Sequence, residues 1–145
     1  MSRLIDPNHI GKQRTQLTKA IMLTLRELAS RQDVDDEARD MVAFICLCLA
    51  EIHEGLSITT AAWEKRNYWV KADAFMREWG WTGETAKQLR WALLHNDWSE
   101  IADLIPQIAG RLSAVKLPQR NTIGKAWAGA FRRLKEQGLT PNTAA

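Results

Sequence analysis

The stretch Met41–Ala50, with the sequence MVAFICLCLA, consists of ten consecutive apolar residues between Asp40 and Glu51. On a helix such a run is apolar on every side, which is typical of a helix that is buried against neighbours all round. The run therefore predicts a central helix, with the rest of the chain packed around it. Its centre is expected to be the least accessible part of the protein.

Local signals predict the two ends of this central helix. Asp36 and Glu37 precede the apolar run, and carboxylates in a first turn complement the positive end of the helix dipole. Gly55 follows the run, and glycine is common just past the C-terminus of a helix. We therefore expect the central helix over about residues 35–54, followed by a short loop at Leu56–Thr59.

Apolar residues recur with helical spacing through most of the remaining chain. The sequence therefore predicts an all-α fold, a single-domain bundle of about six helices. The third helix is expected over Ala61–Trp79, antiparallel to the central helix because the loop between them is short. The sixth is expected over Thr122–Gln137. The predicted domain organisation is an N-terminal arm at 1–11, an all-helical domain at 12–137 and a flexible C-terminal tail at 138–145.

Size and composition are those of one globular domain. The chain has 145 residues, of which 46% are hydrophobic and 26% charged, so it is expected to fold rather than remain disordered. The run Met41–Ala50 is shorter than the roughly 20 residues that cross a bilayer, which predicts no membrane span. Cys46 and Cys48 lie inside that run and point about 200° apart on a helix, which disfavours a shared disulfide or metal. Buried, reduced cysteines favour a cytoplasmic location.

The charges are distributed unevenly along the chain, although the net charge is only +3. Residues 1–32 carry six Lys/Arg and two acids, and residues 104–145 carry seven and one, hence +4 and +6. Residues 33–54 carry one Arg and seven acids, hence −6. The basic ends are expected either to fold back on the acidic central helix or to contact an anionic partner. Candidates for that anionic contact are Lys125, Arg132 and Arg133.

Seven tryptophans are many for a chain of this length. Such large side chains are expected to be buried either in a deep core or against a partner surface. The predicted third helix carries two apolar stripes. The main one consists of Ala61, Tyr68, Ala72, Phe75, Met76 and Trp79, widened by Ala62 and Trp69, and a narrower one holds Trp63, Val70 and Ala74. A single core is expected to bury only one of the two stripes, so the second stripe predicts an exposed aromatic patch. The alternative is that the third helix is also central and both stripes are buried. The candidate interface residues are Trp63, Arg66, Val70, Trp81, Trp91 and Trp98.

A polar cluster is expected at the end of the central helix. Glu51 and Glu54 lie at the negative end of the helix dipole, where acids are unfavourable, and Lys65 lies within the apolar stripe of the next helix. A short antiparallel connection would bring Lys65 against these carboxylates, with His53 beside them. The cluster is interpreted first as a salt bridge and second as a ligand or catalytic site. The spacing of Glu51, His53 and Glu54 does not match a helical di-metal motif.

No sequence motif indicates a catalytic residue, a metal centre or a cofactor. The chain has no Gly-x-Ser-x-Gly motif and no phosphate-binding loop, and its three histidines are scattered. The favoured function is a non-enzymatic helical interaction module, which acts through its tryptophan-rich surface on a protein partner or on a second copy of itself. The first alternative is a nucleic-acid-associated protein that uses the basic C-terminal region. The second is an enzyme, or a binder of a metal or small ligand, that uses the polar cluster.

Overall fold

The structure of the chain, a computed structural model, describes residues 7–138 and is all-helical there. Residues 1–6 and 139–145, which include most of the predicted tail, lie outside the described residues. Five helices of 11 to 30 residues build the bundle, and α6 is a nine-residue segment, so the predicted six comparable helices are only partly found. The helices are α1 Pro7–Ala29, α2 Asp36–Lys65, α3 Trp69–Trp79, α4 Trp81–Leu94, α5 Trp98–Arg111 and α6 Ala130–Gly138. Helix α1 thus begins inside residues 1–11, for which the sequence predicts an arm.

Helix α2 is longer than predicted, because it passes straight through the expected loop at Leu56–Thr59 and ends at Lys65. Gly55 is not a helix end but a buried contact, where an added Cβ would lie 3.2 Å from Ile10 of α1. The actual end is marked by Asn67, whose φ of 62° reverses the chain direction after the helix. Asparagine tolerates this left-handed backbone better than most residues, which explains the turn.

Helices α3 and α4 run back along α2 as one antiparallel arm. Trp63 near the C-terminal end of α2 contacts Phe75 of α3, with the ring centroids 5.1 Å apart. Further down α2, Cys46 Sγ donates a hydrogen bond to the carbonyl oxygen of Ala86. Gly80 between the two helices keeps right-handed helical backbone angles, so α4 continues the path of α3. The predicted antiparallel hairpin therefore exists, but its turn lies at residues 66–68 and its second limb is two helices.

The core is centred on α2. Ile45, Leu49 and Leu56 are among the least accessible side chains, and their helix packs against α1, α3, α4 and α6. Phe44 and Leu47 are only half-buried, so α2 is not buried on every side as the apolar run predicted. The reason is that α6 is too short to cover the whole of that side of α2.

The chain between α5 and α6 is held by the acidic first turns of α2. Two glycines with positive φ, Gly124 at 59° and Gly129 at 76°, delay the start of α6 to Ala130, eight residues later than expected. The Asp40 carboxylate accepts hydrogen bonds from the backbone N–H groups of Gly129 and Phe131, at 3.1 and 3.0 Å. Asp40 therefore caps α6 from another helix, satisfying donors that a helix start leaves unpaired.

Glu37 makes the second attachment. Its carboxylate accepts a hydrogen bond from the Trp127 indole at 3.2 Å and lies 3.4 Å from the Lys125 ammonium. The Trp127 hydrogen bond, with the charges of Lys125 and Arg31, holds the pKa of Glu37 below its usual value. At this point the basic C-terminal region thus folds back on the acidic start of α2, one of the two arrangements that the charge pattern predicted.

The length of α2 also bears on the prediction that the chain has no membrane span. By length and composition alone, this one helix among the described residues could cross a bilayer, whereas the run of ten residues could not. Half of its most apolar window is buried inside the bundle. A single such helix is weak evidence for a membrane protein.

Candidate interaction surface

The outer face of the α3–α4 arm carries most of the exposed large apolar side chains among the described residues. Val70 is 82% exposed, Trp69 59% and Trp91 53%. Met76 and Leu94 on the same face are also exposed. Exposed apolar patches commonly mark sites of interaction. Here they form two groups, one on α3 and one near the end of α4, with the exposed Glu84 and Lys87 between them. We call seven exposed residues on one side of α3 and α4 the arm face: Trp69, Val70, Asp73, Met76, Lys87, Trp91 and Leu94.

Trp69, Tyr68 and Met76 lie on this exposed side, although the sequence pattern assigned them to the main buried stripe. One helix ends at Lys65 and the next begins at Trp69, so Tyr68 lies outside both. Within α3, Ala72, Phe75 and Trp79 are directed inward, whereas Trp69 and Met76 lie at the edge of that stripe, which is narrower than predicted. The run Lys65-Arg66-Asn67 carried the missed signal, since basic residues and asparagine favour a helix end.

A shallow groove of about 390 Å³ lies within the arm face where α2 ends and α3 begins. Its apolar lining includes Trp69, Val70 and Met76, and its charged lining residues are Glu64 and Asp73. Asp73 also pairs with Arg77 at 3.1 Å, an exposed contact within α3. The groove thus offers apolar surface beside negative charge, and it suits a partner with apolar and basic side chains.

The six predicted interface residues divide into two groups. Val70, Trp91 and Arg66 are exposed, as expected for an interface. Trp63, Trp81 and Trp98 are half-buried and serve packing instead. Lys71 lies over the Trp63 ring at 4.7 Å, Arg111 lies over Trp81 at 5.5 Å, and the Trp98 indole donates to the Asn96 side chain at 2.9 Å.

A cation–π stack with Arg14 accounts for one more of the seven tryptophans, Trp79. The Arg14 guanidinium of α1 lies 4.7 Å from the Phe75 ring centroid and 5.4 Å from that of Trp79. Desolvation by burial lowers the pKa of Arg14, and the nearby Glu78 carboxylate opposes this shift. The stack joins the start of α1 to α3, so these rings stabilise the fold and leave the arm face as the accessible aromatic surface.

The candidate basic residues of the C-terminal region are largely occupied by contacts within the chain. Lys125 pairs with Glu37, and the Arg132 guanidinium lies 3.6 Å from the Glu136 carboxylate. Arg133 donates to the carbonyl oxygen of Ala128 at 3.2 Å. All three side chains remain exposed, but these pairings reduce the positive potential that a nucleic acid would meet.

The predicted polar cluster is only partly assembled. Glu51 and Glu54 both line a cleft of about 420 Å³ on the half-open side of α2, and His53 lies against Gly83 on α4. Lys65 is not part of it, because it lies on the same helix as Glu54, roughly 16 Å further along the axis. The predicted ion pair between Lys65 and Glu51 or Glu54 is therefore wrong. Glu51 instead accepts a hydrogen bond from Gln13 at 3.0 Å. Among the described residues, no group of three or more His, Cys, Asp or Glu could hold a metal ion.

No family model, no curated protein and no solved structure matches this chain.

Proposed function

We propose that the protein is a non-enzymatic helical interaction module of the cytoplasm, whose arm face is covered by a protein partner. The observation that carries the proposal is the exposure of Trp69, Val70 and Trp91 along one continuous arm. Tryptophan is the residue most enriched at the energetic centres of interfaces. Covering Trp69, Val70 and Trp91 with a partner would remove these two tryptophans and one valine from water, and burial of one large apolar side chain contributes roughly 1.5–3 kcal/mol.

The two alternative functions have weaker support. Nucleic-acid binding depends on basic side chains, and Lys125 and Arg132 already face carboxylates of their own chain. Catalysis by the polar cluster lacks Lys65, and Glu51 is engaged with Gln13 at the cleft. The arm face needs no rearrangement to bind a partner.

Site-specific photo-crosslinking in the cells that produce the protein tests this proposal. Benzoylphenylalanine is placed at Val70 in the arm face and, as a control, at Gln107, which is exposed on α5. Protein adducts are expected from position 70 and not from position 107, and Trp69→Ser should remove them. Equal adducts from both positions, or none from position 70, would contradict the proposal.

A further inference from the structure

The exposed positions of the α3–α4 arm are arranged symmetrically about Gly80. Met76 and Glu84 are each four residues away from it, and both are exposed. Asp73 and Lys87 are each seven residues away, and Trp69 and Trp91 are each eleven away. Spacings of four, seven and eleven residues keep side chains on one face of a helix. Opposite charges and identical aromatic rings therefore occupy mirrored places along the arm.

We propose that two copies of this chain dimerise through their arm faces, packed antiparallel about a two-fold axis at Gly80. The inference rests on the proposed function, and it identifies the partner as a second copy. In a two-fold interface, each contact between position i and position j occurs twice. The arrangement places Trp69 of each copy against Trp91 of the other, and Asp73 of each copy against Lys87 of the other.

The Trp69–Trp91 and Asp73–Lys87 pairs are both chemically favourable in that alignment, whereas the Met76–Glu84 pair contributes no specific attraction. Two indole rings stack or meet edge to face, and the contact removes both from water. Asp73 and Lys87 form an ion pair between copies, in addition to the exposed and therefore weak Asp73–Arg77 contact within α3. Gly80 at the crossing point has no side chain to hold the two backbones apart. A parallel alignment would instead oppose Asp73 to Asp73 and Lys87 to Lys87.

The dimensions of the face predict the strength of the dimer. The arm from Trp69 to Leu94 contains 26 residues, which span roughly 39 Å of helix. A strip of that length and about 10 Å wide is on the order of 400 Å² in projection, below the roughly 800 Å² per partner of standard interfaces. We therefore expect dissociation constants in the micromolar range rather than the nanomolar range.

Charge reversal followed by sedimentation equilibrium tests the antiparallel alignment. Asp73→Lys alone and Lys87→Asp alone each oppose like charges, and each should weaken dimerisation at least about tenfold. The double variant Asp73→Lys/Lys87→Asp restores opposite charges and should recover most of the lost affinity. Asp103→Lys, an exposed site on α5, is the control for the change in net charge and should leave the dimer unchanged. Additive losses in the double variant would overturn the alignment.

Cysteine cross-linking supplies an independent readout. The native thiols are suited as a background, because burial raises the pKa of both Cys46 and Cys48 to about 12. Asp73→Cys and Lys87→Cys, mixed and oxidised with copper phenanthroline, should give a covalent dimer, whereas each variant alone should not. Rapid cross-linking of Asp73→Cys with itself would show a parallel or different dimer.

The test separates this inference from the proposed function. A wild-type chain that stays monomeric at high micromolar concentration overturns the dimer. If photo-adducts at position 70 then join the chain to a different protein, the interaction module stands and only its partner is different. If position 70 gives no adduct either, both proposals fail.

Discussion

The centre of α2 and the outer face of the α3–α4 arm are both rich in large apolar side chains, yet they have opposite surroundings. Ile45 and Leu49 are fully buried, whereas Val70 is 82% exposed and Trp69 59%. The unbroken run in α2 presents apolar surface in every direction, so most of it is buried whatever the helical phase. The apolar residues of α3 are spaced around the helix, so burial is limited to those on the side that faces α2. Apolar content alone therefore does not decide which helix is core.

The largest expected effect is the difference in stability between two truncations. Ile45→Ala should lower the free energy of unfolding by roughly 2–5 kcal/mol, because it removes buried methyl and methylene groups and leaves a cavity. Val70→Ala should change it by less than about 0.5 kcal/mol, since that side chain is already in water. Urea denaturation at low protein concentration measures both. Similar losses for the two variants would show that the regions do not differ as described.

The next effect concerns α6, which covers part of the half-open side of α2. Asp40→Ala removes the acceptor of two backbone N–H groups at the start of α6, and we expect a loss of about 0.5–2 kcal/mol, as for a helix cap. Hydrogen exchange should accelerate selectively in α6. Asp103→Ala serves as the matched control, because that side chain is exposed on α5. Unchanged protection of α6 in Asp40→Ala would refute the cap.

A smaller effect tests the closeness of α4 to α2. An added Cβ at Gly83 would lie 2.6 Å from the His53 ring, so Gly83→Ala should cost about 1 kcal/mol as the ring is displaced. With His53→Ala already present, the same change should be neutral or slightly stabilising, because alanine favours the helix over glycine. A thermodynamic double-mutant cycle measures this coupling. Independent, additive effects would mean that the two helices are further apart.

Val70→Cys is expected to give the smallest change in stability. It is used to compare the solvent accessibility of position 70 with that of the centre of α2. Cys46 and Cys48, with pKa values raised to about 12 by burial, should resist Ellman's reagent at pH 8 while the protein is folded. The cysteine introduced at position 70 should react at a rate close to that of a free thiol. Fast reaction of the wild-type protein would contradict the buried position of the α2 thiols.

The sequence was sufficient for the all-α class and for a central, largely buried helix, because an unbroken apolar run needs no knowledge of its neighbours. It was insufficient for the turn between α2 and α3. Gly55 resembles a helix end in the sequence, but it is the place where α1 approaches α2 closely, which only the tertiary structure reveals. Placing the turn there brought Lys65 to Glu54 in the prediction. The prediction of Trp69 as a core residue was wrong for a different reason, because the buried stripe of α3 is narrower than expected. The contacts of Asp40 with Gly129 and of Glu37 with Trp127 could not be predicted from local sequence patterns either, because they join residues about 90 positions apart.

The central proposal is that a second copy of the chain covers the arm face, and the mass of the protein in solution tests it most directly. Sedimentation equilibrium at high micromolar concentration should give the wild-type chain a mass approaching twice its 16.5 kDa, and Trp69→Ser a mass close to 16.5 kDa. Circular dichroism should show the same helix content for both. Identical masses near 16.5 kDa for wild type and variant at every concentration would contradict the self-association that the account predicts.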